Sequence, residues 1–119
     1  MAVAMTVSTR DGLGCAIVAA SGDVDISTSP DLREALGRVV AEGNRAVVVD
    51  LSAVKFIDST GLGVLIGTRR RTYDLRGSFS IVCENQRVLR LLDLTSLDKV
   101  FTIHAERDEA TARPVARTR

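Results

Sequence analysis

The residues most able to do chemistry in this chain are Asp58, Ser59 and Thr60, which enter an apolar stretch punctuated by Gly61, Gly63 and Gly67. Four readings are open for such a cluster and the acidic residues around it, the first a phosphate-cradling loop of either of two kinds. A dinucleotide-binding loop needs G-x-G-x-x-G, whose third glycine lets helix and strand pack closely, and Ile66 occupies that place here. A phosphate loop of the Walker type needs Gly-Lys-Ser/Thr, which does not occur. Gly63 and Gly67 are therefore expected to be packing positions that bring a helix close to a sheet. A serine hydrolase needs a nucleophile, a base and an orienting acid. Ser59 follows a strand and starts a helix, but G-x-S-x-G is missing and the one histidine, His104, lies far along the chain.

A phosphoaspartate receiver is the third possibility, with Asp50 ending a central strand and Asp23 and Asp25 following an earlier one. A receiver continues from its first strand into a helix, whereas this chain opens on a hairpin, so Asp50 is expected to serve structure. The fourth possibility is covalent modification. A hydroxyl at a helix N-cap is partly exposed, and a phosphate there adds about 1.5–2 negative charges close to unpaired backbone N–H groups. The fold is expected to tolerate that charge at the positive end of the helix dipole, although Asp58 opposes it. A docked partner would not be indifferent to it.

The elements that must position these residues follow from periodicity. Residues 3–9 and 15–20 form two apolar runs around Asp11-Gly12, a turn signal, and predict an antiparallel hairpin. Thr28 or Ser29 is expected to cap a helix with Pro30 in its first turn, apolar at Leu32, Ala35, Leu36, Val39 and Val40 and stopped by Gly43-Asn44. Residues 46–51, AVVVDL, read as a strand covered on both faces. Asp58 or Ser59 then offers an N-cap for a helix whose apolar residues are Leu62, Leu65 and Ile66 and which closes on Arg69–Arg71. A strand is expected over Phe79–Cys83, and a helix capped by Asn85 with Val88, Leu89, Leu91 and Leu92 inward. A strand over Val100–Ile103 and a short helix over Ala105–Ala112, stopped by Pro114, complete the order. Helix and strand alternate from Leu32 onward, so those strands are expected to run parallel.

Bulk properties exclude several classes. The 119 residues suffice for one compact domain. Hydrophobic residues make up 45% and charged residues 26%, a globular balance, while 3% aromatics leave the core to Val, Leu, Ile and Ala. A formal charge of +1 gives no field that draws the chain to nucleic acid or to a membrane surface. No apolar run reaches the ~20 residues of a membrane span. MAVAMTVSTR lacks the form of a signal peptide, so a cytoplasmic location is expected. Cys15 and Cys83 lie in apolar surroundings without metal-ligand spacing, and are expected to be buried thiols. No metal site, cofactor or catalytic residue is expected.

The segment VVVDLSAVKFIDSTGLGVLIGTRRR resembles the signature of STAS domains, specifically the bacterial anti-sigma factor antagonists: a strand ending in Asp-Leu, then a hydrophobic-Asp-Ser-Ser/Thr-Gly-Leu-Gly run entering a helix. SGDVDIST and RVLRLLDLTSLDKVF are similar to flanking parts of the same family, extending the resemblance over roughly residues 5–112. The resemblance implies an α/β fold with a mixed sheet, an N-terminal antiparallel hairpin followed by parallel strands, packed with about four helices. It implies one domain over residues 1–112 and a C-terminal tail over 113–119. It further implies a non-enzymatic module that binds an anti-sigma factor with serine-kinase activity. That partner holds the ATP and phosphorylates Ser59, and a serine phosphatase reverses the step. The unphosphorylated form captures the anti-sigma factor and frees a sigma factor.

Asp25 matches the family's acidic loop residue and Thr28 the residue following it. Asp58, Thr60, Gly61 and Leu62 are expected to form the docking rim with them. Ser96 departs from the family's usual glycine and is expected to take a left-handed conformation with some strain. Two alternatives remain open from the sequence. One is a STAS subunit of a stress-signalling assembly that binds other STAS proteins, a role that a long N-terminal sensor domain would favour. The other is a hydrolase with Ser59 as nucleophile.

Overall fold

A computed structural model of the chain describes residues 4–10, 15–107 and 110, with side chains from residue 15 onward. The elements are β1 (Ala4–Arg10), β2 (Cys15–Val24), α1 (Ser29–Ala41), β3 (Ala46–Ile57), α2 (Ser59–Asp74), β4 (Ser78–Val82), α3 (Gln86–Leu94), a 3-10 turn (Leu97–Lys99) and β5 (Thr102–His104). The strands form one sheet in the order β1-β2-β3-β4-β5. β1 pairs antiparallel with β2, and every later neighbour is parallel. Sequential parallel strands joined by crossovers of one hand carry all their helices on one face, which is where α1, α2 and α3 lie.

Side chains alternate across a strand, so each β-branched run feeds two cores. Ala16, Val18, Val47, Val49, Phe79 and Ile81 pack under the three helices. Cys15, Ile17, Ala46, Val48 and Val82 face the other way, where Ala110 packs on them. Cys15 and Cys83 are both buried and belong to these two opposite clusters. Burial pushes the Cys83 thiol above its ordinary pKa.

Several boundaries differ from the sequence-based expectation. β3 runs to Ile57 rather than stopping at Leu51, because β2 continues beside it and Val54 and Ile57 keep contributing to the core. It pairs with β4 only through Asp50, so its last residues have β2 as their one strand neighbour, with register shifts near Ala19/Ser21 and Gly22/Asp23. α2 passes through Arg69–Arg71 to Asp74. β5 is Thr102–His104, shifted from Val100–Ile103. Asn85 caps α3 as expected, accepting from Arg87 N and Val88 N.

Ser96 is left-handed at φ 62°, as its place after α3 predicts, and Arg76 before Gly77 is left-handed too. A Cβ at Gly77 would collide with the Arg45 carbonyl oxygen, which accepts from Ser78 N at 2.7 Å, so β4 enters the sheet there only with glycine. Of the expected last helix, Ala105 and Glu106 form a bend and Arg107 and Ala110 are helical. Its other residues, the Asp11-Gly12 turn, Pro114 and the tail over 113–119 lie outside the described residues.

Candidate functional site

The cluster at Ser59 is assembled where β2 and β3 end together. Asp58 N donates to Val24 O at 3.0 Å, tying the entry of α2 to the end of β2. Asp58 itself is the N-cap, in extended conformation, and its Oδ1 accepts from Thr60 N at 2.9 Å, Gly61 N at 3.2 Å and the Thr60 hydroxyl at 2.5 Å. A carboxylate in that place satisfies backbone donors that the first helical turn would otherwise leave open. Ser59 is therefore the first helical residue and not the cap. It is exposed, and its hydroxyl makes no side-chain hydrogen bond among the described residues.

The glycines divide differently from expectation. A Cβ on Gly61 would come within 2.7 Å of both Ile57 Cγ1 and Val24 Cγ1. Gly61 is thus the residue that lets α2 settle onto the strand ends and fixes where Ser59 emerges. Gly63 and Gly67 are exposed, and a Cβ on either would meet nothing within 4 Å. They are not packing positions, which corrects the expectation stated above, and Ile66 between them lies partly exposed on the outer side of α2 rather than in the core. The available signal for Gly61 was its place in the first turn, where a helix passes closest to the strand it follows.

The β2–α1 loop supplies the neighbouring wall. Asp25 Oδ1 accepts from Ser27 N at 3.0 Å, the Ser27 hydroxyl at 2.8 Å and Thr28 N at 3.1 Å. Thr28 occupies the cap position of α1 but does not cap it with its side chain. Its hydroxyl turns back to donate to Asp23 O at 2.8 Å and accept from Asp25 N at 2.8 Å, and the residue is buried. Ile26, at the tip, is 74% exposed.

The hydrogen bond from Ser27 leads in holding the Asp25 carboxyl below its ordinary pKa. The Thr60 hydroxyl does the same for Asp58, against a smaller opposing effect from the charge of Asp25. Both are carboxylates at neutral pH, and together they give the rim around Ser59 an acidic edge.

Of the expected rim residues, Asp25, Asp58 and Thr60 are half-buried and reach the surface, whereas Thr28, Gly61 and Leu62 lie behind it. His104 closes β5 beside Val82, two strands from β3 in the sheet order, and does not join Ser59. Asp50 is 7% exposed and paired with Arg107 Nε while accepting from Ser52 N at 2.9 Å, so it has the structural role expected of it. The Arg107 partner was not foreseen, because nothing in sequence links residues 57 positions apart.

The STAS domain model matches residues 4–110. The chain belongs to the STAS domain family. It is 35% identical over 106 residues to the anti-sigma-F factor antagonist RsfB of Mycobacterium tuberculosis, spanning 89% of this chain and 86% of that protein. It is 34% identical over 86 residues to the anti-sigma-B factor antagonist of Bacillus subtilis, covering 72% and 78% of the two chains. Among solved structures, an anti-sigma factor antagonist from Mycobacterium paratuberculosis superposes with a TM-score of 0.81 at 35% identity, covering 92% of each chain. Among the described residues, no helix of this STAS chain is long and apolar enough to cross a membrane.

Proposed function

We propose that this STAS protein is an anti-sigma factor antagonist that works by binding and not by catalysis, as one domain over residues 1–112 with a tail over 113–119. In this reading its unphosphorylated form captures an anti-sigma factor in the cytoplasm and so releases a sigma factor. Phosphorylation of Ser59 by that anti-sigma factor, acting as a serine kinase with its own ATP, ends the capture, and a serine phosphatase restores it. The observation that carries the proposal is the division of labour at the start of α2. Asp58 holds the helix cap, so the exposed Ser59 hydroxyl is free to accept a phosphoryl group without any structural hydrogen bond being lost.

Asp25, Asp58 and Thr60 would touch the partner around Ser59, their acidic edge facing Arg or Lys. Thr28, Gly61 and Leu62 hold that rim in shape from behind. Phosphate would place about 1.5–2 further negative charges beside two carboxylates. The helix dipole tolerates them. A partner surface already matched to the unmodified edge does not, and like-charge mismatch of about 3 kcal/mol lowers affinity more than a hundredfold.

The test is capture of a histidine-kinase-like anti-sigma factor from native lysate on immobilised wild type, Ser59→Ala and Ser59→Asp. Wild type and Ser59→Ala are expected to retain it and Ser59→Asp to lose it. Equal capture by all three would overturn the switch.

A further inference from the structure

At the carboxyl end of the parallel strands, charges of opposite sign flank one exposed aromatic ring. Phe56, near the end of β3, is 51% exposed. On its β2 side, exposed Asp23 is its partner in register, and Asp25 follows just past the end of that strand. On its α3 side, Phe56 shares with Lys55 and Arg87 the lining of a cavity of about 200 Å³ floored by Val88 and Leu91. Arg87 and Arg90 line the next depression along α3, of about 450 Å³, together with Gln86, Leu89 and Asp93, so two cations outnumber one carboxylate there. Asp23, Phe56 and Arg87 therefore stand in that order across the surface. Among the described residues, none of Asp23, Lys55, Arg87 and Arg90 takes part in an ion pair.

A patch that is acidic on one side of an apolar centre and basic on the other is complementary to itself after a half-turn about that centre. Each acidic side then meets the basic side of the other copy, the defining property of an isologous contact. A partner of one charge sign would match half of the patch and be repelled by the rest. An aromatic anchor inside a charged rim is also the usual anatomy of a protein interface.

We propose that a second copy of this chain docks here, in a two-fold dimer centred on Phe56 with Asp23 of each copy against Arg87 of the other. Asp58 and Ser59 directly follow Phe56 and Ile57 in the chain. On the proposed function, self-association this close to Ser59 is expected to compete with partner binding. The dimer itself stands on charge and exposure, and only that competition rests on the proposed function.

Sedimentation equilibrium of the full chain up to about 1 mM is the test. Wild type is expected to show a concentration-dependent dimer that added salt weakens, since the rim charges are exposed. Asp23→Lys and Arg87→Glu are each expected to raise the dissociation constant at least about tenfold, because the half-turn doubles every like-charge clash. Mixing those two variants restores association as a heterodimer: the two introduced charges face each other at one contact, and Asp23 and Arg87 remain paired at the other. Phe56→Ala weakens wild-type association to a similar degree. Both charge reversals are at exposed positions, and circular dichroism confirms that the fold is kept. A wild-type chain that stays monomeric throughout, or a mixture no more associated than its components, overturns the proposal.

Discussion

Ser96 holds φ 62° and ψ 14° where α3 gives way to the 3-10 turn, a left-handed conformation that crowds the Cβ of any residue but glycine. That crowding costs roughly 1–2 kcal/mol, against which glycine adds about 0.5–1 kcal/mol of unfolded-state entropy. Ser96→Gly is therefore expected to stabilise the chain by about 0.5–1 kcal/mol, read as a raised urea midpoint with an unchanged slope. A lower midpoint would mean that the serine makes a contact worth more than its strain. The conformation at Ser96 was legible because the resemblance places a glycine there. The equivalent conformation at Arg76 was not, since only the following Gly77 hints at a helix end. At the start of α2 the sequence left Asp58 and Ser59 as equal cap candidates, because both residue types cap well. Only the backbone course decides, by turning the Asp58 carboxylate onto Thr60 N and Gly61 N and leaving Ser59 outward.

Within α2, three glycines of the same type carry opposite consequences. Gly61→Ala forces a methyl group against Ile57 and Val24, and overpacking of this kind costs about 1–3 kcal/mol. Gly63→Ala and Gly67→Ala add a methyl group to open space and remove backbone freedom from the unfolded chain, a gain of about 1 kcal/mol each. Thermal unfolding of the three variants separates these outcomes by sign. The helix itself was legible from Leu62, Leu65 and the cap residues. Which glycine touches the sheet was not, because periodicity gives a helix its faces but not how closely its first turn approaches a strand. Gly63 and Gly67 share the outer side of α2 with Ser59, at four-residue spacing, and among the described residues no close approach requires glycine at either. A reason outside the chain fits the proposed function: a helix face kept flat for a partner. Gly63→Ala is then expected to be more stable than wild type and yet to capture the anti-sigma factor less well.

Across the whole molecule, the sheet has one face covered by three helices and another that depends on the segment around Arg107 and Ala110. The run AVVVDL revealed that its strand is covered on both faces, but not which segment supplies the second cover, since that contact joins distant parts of the chain. Asp50 sits on β3 with its carboxylate paired to Arg107 Nε. Burial is the largest single influence on Asp50 and raises its pKa, but hydrogen bonds from Ser52 and Arg107 together outweigh it, leaving the carboxyl below its ordinary 3.8. A depressed carboxyl pKa contributes stability that is fully present above the unfolded-state value and lost as pH falls through the folded-state value.

Arg107→Leu removes part of what holds the pKa down while leaving the burial, so Asp50 then takes up its proton at a higher pH. At neutral pH the buried carboxylate loses a partner, an expected destabilisation of about 1–3 kcal/mol, towards the lower end because Arg107 is itself half-exposed. As pH falls below the ordinary 3.8, Asp50 takes up its proton first in Arg107→Leu and then in wild type, and the difference between them should shrink. Urea unfolding of wild type and Arg107→Leu across that range tests both points. A difference that stays constant with pH would show that Arg107 acts through packing of its stem over the second face and not through its charge on Asp50.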